Sequence, residues 1–461
     1  MDGLLLDIHH WAEANFGTAA LGDQRRTERL VAVAAQIAAD PAASLPDQAE
    51  TWADLKATYR LFDRPEVTFA AVADPHWQRT RACDPGRYLL LDDTTELDFG
   101  RYRQVTGLGP TGNGGGRGFL LHSGLLVAAA TEAVHGLAGQ VLHYRRPVPK
   151  GETRTQRLKR KRESAVWGEL IDQVGPPPAG VEWVHVMDRG ADDFEVLCHC
   201  QQQRAGWVLR AKSLHRKALA PDGQDTTVQA YLDTLPVAGT YQLRLRARPG
   251  QPARTATVAV RYGPLTLRPP KLQSPYLKGL PARPIGQWVV WVREVGAPKG
   301  AAPIAWVLYT SLPVTSLAEA LEVVGYYERR WLIEEWHKAL KSGCQATRRQ
   351  LKTHQRLEAL VGVLGVEAVR LLQLKALART EPQRPAAGVV PGRLLVLLQR
   401  LRGGPAAGAW TVGQFFRELA MLGGFLGRKG DGEPGWITIW RGWEKLHLML
   451  RGAELATNSG A

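Results

Sequence analysis

Two short apolar runs that end in carboxylates most constrain the fold of this chain. RYLLLDDTT reaches Asp93 and VEWVHVMDRGAD reaches Asp188, and each run is too short for a helix of ordinary length. LLHSGLLVAAAT, LAGQVLHYRR and GWVLRAKS are further runs with strand character. Because helical stretches separate some of these runs, the pattern predicts an α/β fold in which Asp93 and Asp188 each end a strand.

The rest of the chain differs in composition. Residues up to about Thr80 have helical character, with Asp23 as the N-cap of QRRTERLVAVAAQIAAD and Pro41 closing that helix. Between 226 and 310, the segments YQLRLRAR, TATVAVRYG and GQWVVWVREV predict strands. We therefore predict a helical domain over 1–72, an α/β domain over 73–375 with a β-rich insertion at about 226–310, and a linker with a helical domain over 376–461.

The charge balance points to a polyanionic partner. The 461 residues contain 59 Lys and Arg against 44 Asp and Glu, a net charge of +15. Such an excess favours nucleic acid. A membrane partner is disfavoured, because MDGLLLDIHH lacks the character of a signal peptide and the most apolar segment is interrupted by Glu367 and Arg370. We expect a cytoplasmic, nucleoid-associated protein.

The cysteines suggest a reducing compartment. Cys83, Cys198, Cys200 and Cys344 are too few and too scattered for a disulfide framework. Cys198-His199-Cys200 allows either a metal site or thiols packed within a helix. Since no second ligand pair lies nearby, the pattern favours packed thiols.

The stretch YYERRWLIEEWHKALK predicts one amphipathic helix over 326–341. At about 100° per residue, four polar side chains share one face, and apolar residues such as Leu332 and Trp336 lie opposite. A solvated surface with helical ion pairs is the alternative interpretation of the polar face. The four polar residues are Tyr327, Arg330, Glu334 and Lys341.

Asp93, Asp188 and Glu334 are the candidate catalytic and metal-binding residues. Two strand ends and a flanking helix can converge on one point, as in ribonuclease-H-like folds. Such carboxylates suit Mg²⁺, and two ions can activate the attacking oxygen and stabilise the leaving oxygen in phosphoryl transfer. Asp92 is disfavoured because strand alternation places it on the opposite face. Arg330 and Lys341 would bind phosphates beside the carboxylates.

Arg25, Arg26 and Arg29 crowd the first turns of the helix after Asp23. Cations at this position oppose the helix dipole, so local helix stability does not explain them. DNA phosphates or simple solvation are the two open interpretations.

These motifs resemble those of a known family. The spacing Y-x2-R-x3-E-x6-K, present from Tyr327 to Lys341, is similar to the hallmark of bacterial DDE transposases of the insertion-sequence-four family. LGDQRRTERLVAVAAQIA, DDTTELDF, VMDRGAD, PIAWVLYTSLPVTSLAEALEVV and EAVRLLQL also resemble segments of that family, in the same order. The resemblance extends from about Trp11 to Leu450. One departure is Gly190, where a close relative has an acidic residue.

The resemblance implies a ribonuclease-H-like catalytic core with a β-rich insertion, flanked by helical N-terminal DNA-binding and helical C-terminal dimerisation regions. It implies cut-and-paste transposition: metal-dependent cleavage at transposon ends through a hairpin intermediate, then strand transfer. The implied partners are transposon-end DNA, target DNA and a second copy of the chain in the DNA-bound synaptic complex. The implied cofactor is Mg²⁺, two ions per active site, with Mn²⁺ as a substitute.

The resemblance also assigns roles to individual residues. Asp93, Asp188 and Glu334 match the catalytic metal ligands. Trp306 matches a tryptophan that stacks on a flipped base, and an aromatic platform is what an extruded base requires; a buried core aromatic is the alternative. The matched DNA contacts are Tyr327, Arg330, Lys341, Trp306, Arg210, Lys212, Arg25, Arg26 and Arg29.

Two other functions remain open at this point. One is a ribonuclease-H-fold nuclease that cleaves DNA without joining it. The other is a catalytically silent DNA-binding protein, such as an inhibitor that poisons dimers. The β-rich insertion and tail disfavour the first, and the intact triad disfavours the second.

Overall fold

The computed structural model describes residues 7–458, except 101, 103, 114, 147, 161, 246–252, 282, 299–302, 404–409 and 429. Within these ranges it contains sixteen α-helices, and the four cysteines are free thiols. The mixed α/β class predicted from the sequence is confirmed. The helices are α1 Ile8–Phe16, α2 Gln24–Ala39, α3 Leu45–Gln48, α4 Trp52–Phe62, α5 Phe69–Arg81, α6 Arg154–Lys159, α7 Ala165–Val174, α8 Phe194–Gln202, α9 Val228–Thr234, α10 Pro275–Lys278, α11 Leu317–Glu328, α12 Trp331–Lys338, α13 His354–Thr380, α14 Gly392–Leu401, α15 Val412–Leu422 and α16 Trp436–Asn458.

The described strands form one mixed, twelve-stranded sheet. Its order is β2-β3-β1-β5-β6-β12-β11-β10-β7-β8, with β4 beside β3 and β9 beside β10. β1 and β6 run parallel to β5, and the other pairs are antiparallel. The strands are β1 Gly86–Asp98, β2 Gly109–Thr111, β3 Gly116–Ala128, β4 Val134–His143, β5 Val181–Met187, β6 Gly206–Arg210, β7 Lys217–Leu219, β8 Asp225–Thr227, β9 Gly239–Leu245, β10 Arg254–Leu267, β11 Ile285–Glu294 and β12 Ala305–Thr310.

Helices cover both faces around β1, and the strand's alternation decides which residues meet them. Leu89 and Leu91 belong to the core cluster that contains Trp336 of α12. Leu90 belongs to a different cluster with Leu170 of α7. Alternate residues of a strand point to opposite faces, so this central strand is apolar on both sides.

The N-terminal helix α2 follows the local sequence signals. Asp23 is its N-cap, and the Asp23 carboxylate accepts the N–H of Arg25 at 2.9 Å. The helix ends at Ala39, two residues before Pro41. The predicted start and end of this helix are thus confirmed.

The strands predicted as an insertion extend the central sheet. β12 pairs with β6, with Leu308 opposite Arg210, and β11 and β10 follow on the same path. The end of the predicted strand YQLRLRAR, at 246–248, lies outside the described residues.

The single helix predicted over 326–341 is wrong. The N–H groups of Arg330, Leu332 and Ile333 bond to carbonyls three residues back, which tightens the backbone between α11 and α12. A π-helical segment then covers Ala339–Gly343, where Cys344 N–H bonds to the carbonyl of Ala339. Each change rotates the following side chains relative to a regular helix.

Across the described part of the chain, none of the helices is both long enough and apolar enough to span a membrane. α13 contains the apolar segment ALVGVLGVEAVRLLQL, and its Glu367 and Arg370 form a buried ion pair. This agrees with the predicted buried helix.

Candidate active site

Asp93 lies where β1 separates from β5. The parallel pairing of these strands ends at Leu91 opposite Val186, whereas β1 continues beside β3 as far as Asp98. Asp93 is therefore inside a strand, and the prediction that it ends one is wrong. Asp188 directly follows β5 as predicted, and its carboxylate accepts the N–H of Gly190 at 2.6 Å. The divergence of two strands opens the site.

Arg330 connects two of the three candidate carboxylates. Its Nη1 lies 2.9 Å from Asp93 Oδ2, and its Nη2 lies 2.5 Å from Glu334 Oε1. Burial lowers the pKa of Arg330, but Asp93 and other neighbours including Glu334 and Asp188 outweigh this, so its pKa is raised. The guanidinium remains charged and holds strand β1 and helix α12 together at the site.

Asp188, the third candidate carboxylate, affects the pKa of Asp93. Burial raises the pKa of Asp93. Arg330 and the N–H of Thr94 lower that pKa, whereas the charge of Asp188 raises it further. A like charge raises a carboxyl pKa only at short range. The fold therefore brings Asp188 within electrostatic range of Asp93, which Arg330 joins to Glu334.

Lys341, in the π-helical segment, lies within electrostatic range of Asp93. Burial lowers the pKa of Lys341, while Glu96 and Asp93 act in the opposite direction. Glu96 lies three residues after Asp93, accepts the N–H of Gly112 at 3.0 Å, and forms an ion pair with Arg145. The sequence analysis missed Glu96, because strand alternation assigns a residue three positions after Asp93 to the opposite face.

The carboxylates fit a hard divalent cation by chemistry, since such ions take carboxylate oxygens. Within the described residues, no group of three His, Cys, Asp or Glu side chains is already arranged around a common metal position. Asp93 and Glu334 are instead directed toward the guanidinium of Arg330. The guanidinium of Arg330 thus lies between the two carboxylates, where a metal cation would otherwise bind.

Asp92 faces away from this site, as strand alternation predicted. Its side chain is 1% exposed, and its Oδ2 lies 2.7 Å from Nδ1 of His185, which is fully buried. On the same face, His122 Nδ1 lies 2.8 Å from the hydroxyl of Thr94. Thr94 N–H in turn bonds to Asp93 Oδ1 at 2.8 Å. This buried polar group, which sequence analysis did not predict, supports the strand that carries Asp93.

Gly190 is close to both Asp188 and a buried aromatic. A Cβ at this position would lie 2.9 Å from Asp188 Oδ1 and 3.1 Å from the ring of Trp167. A larger residue would require Asp188 or Trp167 to move. The lack of a side chain at Gly190 therefore allows Asp188 to keep its observed position.

Trp306 and Tyr327 form an aromatic pair beside the site. Their ring centres are 5.6 Å apart in an edge-on arrangement. Tyr327 is 7% exposed and packs in the core, whereas Trp306 is half-buried. The prediction that Tyr327 lies on an open polar face is therefore wrong, because the break after α11 rotates the residues that follow it away from the face that Tyr327 occupies.

Arg210 and Lys212 are not equivalent. Arg210 is the last residue of β6, and its Nη2 donates to the carbonyl of Ala305 at 3.4 Å. Lys212 lies beyond the strand, where its backbone N–H bonds to Asp192 at 2.6 Å and its side chain is exposed. The predicted alternation on one strand is therefore wrong.

The N-terminal arginines have partners in the free chain. Arg26 pairs with Glu66 and Arg29 with Asp54, both at 3.0 Å. Arg25 is exposed. Local ion pairs thus account for part of the positive charge at the start of α2.

Comparison with known families identifies three successive matches. Residues 8–67 match the transposase DNA-binding family, 157–364 match the transposase DDE domain, and 368–460 match the transposase Tn5 dimerisation domain. Asp188 and Glu334 fall within the DDE match, and Asp93 precedes it. The three matches follow one another without overlap along most of the chain. A DNA-binding domain, a DDE domain and a dimerisation domain thus occur in one polypeptide, which belongs to the Tn5-like DDE transposases of the insertion-sequence-four family.

Proposed function

We propose that this transposase moves DNA by a cut-and-paste reaction. It cleaves each transposon end, forms and opens a hairpin there, and joins the released 3′ ends to target DNA. Two copies act together on two paired ends in a synaptic complex. The observation that carries this proposal is the contact of Arg330 with both Asp93 and Glu334, close to the charge of Asp188.

The proposal includes a division of the fold. The core around β1, β5 and β6 would be ribonuclease-H-like, within a catalytic domain over 73–375 that contains an insertion at about 226–310. Residues 1–72 would bind DNA ends, and 376–461 would provide the dimer contacts. Because the substrate is chromosomal DNA, the site of action would be the bacterial nucleoid in the cytoplasm.

Asp93, Asp188 and Glu334 would hold two Mg²⁺ ions, or Mn²⁺ in their place. Bound there, the metal would activate the attacking oxygen and stabilise the leaving oxygen. Arg330 would then have a second role, because its guanidinium, once replaced at Asp93 and Glu334 by a metal, would be free to bind a DNA phosphate. An arginine offers two parallel donors to a phosphate, which fixes the phosphate's orientation.

Other basic residues would hold the transposon end. Lys341, whose charge is close to Asp93, would bind a phosphate next to the scissile bond. Tyr327 would contact DNA only after a local movement, because its side chain is buried. Arg210 and Lys212 would contact the end near the insertion, and Arg25, Arg26 and Arg29 would contact it from α2.

Trp306 would support the hairpin. Its half-buried ring already packs against Tyr327, so one edge is fixed while part of the ring is free to stack on an extruded base. Trp306→Ala is expected to reduce hairpin formation about 5- to 160-fold, since base stacking contributes about 1–3 kcal/mol, while the first nick persists. Trp306→Phe should retain part of the activity. Equal loss of nicking and hairpins would contradict this role.

The decisive experiment uses the purified full chain, Mg²⁺ and a duplex that carries the flanking inverted repeat. Wild type is compared with Glu334→Ala and with Glu322→Ala, which removes a glutamate from α11 outside the site. Nicked, hairpin and joined products are resolved on a denaturing gel. Metal-dependent hairpins and joining that vanish only in Glu334→Ala would support transposition at this triad.

The same gel separates the other two functions. Nicks without hairpins or joined products would support a nuclease. Tight DNA binding without cleavage in any of the three proteins would support a silent DNA-binding inhibitor.

A further inference from the structure

A strongly basic segment lies between β4 and α7. From Tyr144 to Ser164, which we call the basic segment, the chain has nine Lys and Arg against two Glu, so 21 residues carry +7 of the total charge of +15. None of the catalytic or end-binding residues named above belongs to it. The basic segment therefore has an unassigned charge that is nearly half of the chain's excess.

Ion pairs attach the basic segment beside the active site at both of its ends. At one end, Arg145 pairs with Glu96, whose charge reaches Lys341, and with Glu163 at 2.8 Å. Toward the other end, Arg162 lies 3.8 Å from Asp193, the N-cap of α8. Asp193 follows Asp188 by five residues. The basic segment thus borders both strands that supply catalytic aspartates.

The described basic side chains divide into internal and exposed groups. Arg145 and Arg160 are paired with glutamates, Arg160 with Glu152 at 2.7 Å. Arg146, Lys150 and Arg157 are exposed, and within the described ranges none of the three forms an ion pair. A cleft of about 830 Å³ opens among Arg146, Arg157, Arg160 and the turn at Gly112. Fixed internal pairs thus support a surface whose outer charges are available to phosphates.

The sheet order places this surface opposite the proposed end contacts. Arg210 and Trp306 lie on β6 and β12, on one side of β1, whereas β3, β4 and β2 lie on the other side. The basic segment follows β4, and its cleft includes Gly112 after β2. In the sheet order, β1 with Asp93 therefore lies between the strands of Arg210 and Trp306 and the strands that border the basic segment.

We propose that the basic segment binds the phosphate backbone of target DNA, an inference that rests on the proposed transposition. Target DNA is a separate molecule of arbitrary sequence, so its affinity must come from phosphate contacts rather than from base contacts. DNA that flanks the transposon is covalently joined to an end already held elsewhere and needs no such surface. Arg146, Lys150 and Arg157 supply the exposed charges.

The test measures capture of a labelled duplex of unrelated sequence by the full chain already bound to pre-cleaved end DNA. The variant is Arg146→Ala/Lys150→Ala/Arg157→Ala. One control, Arg146→Lys/Arg157→Lys, keeps the charge. A second, Lys271→Ala/Lys278→Ala/Arg283→Ala, removes the same charge from exposed residues between β10 and β11, at the far part of the sheet.

Each phosphate contact contributes about 0.9 to the slope of log affinity against log salt, so three lost contacts flatten that slope by about 2.7. The ratio of wild-type to variant affinity should then change about 40-fold between 50 and 200 mM salt. Both controls should match wild type. End binding and end cleavage by the triple variant should be unchanged, and strand transfer should fall at least tenfold.

Three results would overturn the proposal. Equal salt slopes for the triple variant and wild type would show that the three side chains are solvated and do not contact DNA phosphates. Weaker cleavage of ends with long flanks, with target capture intact, would assign the basic segment to flanking DNA. Equal weakening by the distant control would show a general field effect. If wild type captures target but never joins it, the proposed function fails, while the affinities still decide the role of this surface.

Discussion

Asp92 and Asp93 are neighbours on one strand, yet their surroundings differ in every respect that matters for function. Asp92 is 1% exposed and forms a pair with buried His185. Asp93 has a side chain that is 19% exposed, lies at the divergence of β1 and β5, and pairs with Arg330. Strand alternation separates them, because adjacent side chains point to opposite faces.

The difference shows how a buried acid can be either structural or reactive. Asp92 has a partner that is itself enclosed, so the pair cannot exchange for a ligand without opening the core. Asp93 shares its partner with Glu334 and is partly exposed, so its arrangement can change when metal or DNA binds. The type of partner and its access to solvent distinguish the two roles.

The strongest test of this contrast is Asp93→Asn. We expect end cleavage to fall at least a thousandfold, because losing several kcal/mol of charge stabilisation corresponds to about that factor. The free energy of unfolding should change by less than about 1 kcal/mol, since the replacement is close in size and its site is partly exposed. Cleavage kinetics and denaturant unfolding measure the two quantities. Near-normal cleavage would remove Asp93 from the catalytic triad.

Asp92→Ala should have the opposite profile. Removing one partner of a buried hydrogen bond costs about 1–3 kcal/mol, because the remaining polar group has no partner. The free energy of unfolding should fall by this amount, and molecules that remain folded should still cleave DNA. Adding His185→Leu should restore part of the lost stability. A variant that is stable but inactive would show that Asp92 takes part in the reaction.

Arg330→Lys tests whether geometry or charge joins Asp93 to Glu334. A lysine keeps the positive charge but cannot donate to both carboxylates through one planar group. We expect end cleavage to fall about 10- to 100-fold, equivalent to about 1.4–2.7 kcal/mol, with a greater loss in Arg330→Ala. Cleavage rates under single-turnover conditions measure the effect. Equal rates in wild type and Arg330→Lys would show that only the positive charge at this position matters for cleavage.

The pH dependence of stability sharpens the contrast on the Asp92 side of the strand. Burial lowers the pKa of His122 to about 3. Between pH 6.5 and 3 the unfolded chain therefore binds a proton that the folded chain does not, so acid reduces the free energy of unfolding. His122→Gln should lose less stability than wild type as pH falls from 6.5 to 4. Parallel unfolding curves against pH would contradict the neutral, buried state of His122.

Local sequence patterns predicted much of this molecule. The strands that carry the two aspartates, the cap and end of α2, the buried character of α13, and the opposite faces of Asp92 and Asp93 all follow from spacing within a few residues. Such patterns report burial on one side of an element, which is a local property. The family match then confirms the transposase assignment that the motifs indicated.

Some features of the site depend on contacts between distant residues. The sequence did not reveal the tight turn at Arg330, the π-helical segment at Lys341, or the burial of Tyr327. The first two depart from the ideal spacing of 3.6 residues per turn, and the third depends on packing against Trp306 of β12. The pairing of Arg26 with Glu66 likewise joins segments that no local pattern links.

The sequence by itself determined the two strands that lead to the catalytic aspartates, the chemical types of the catalytic candidates and the family. The tertiary structure alone decided that β1 continues past Asp93, that Glu96 and Lys341 are near each other, and that one arginine joins two catalytic acids. The reason is physical. Local periodicity fixes which face of an element is buried, whereas the partner that each side chain meets depends on how elements from distant parts of the chain pack together.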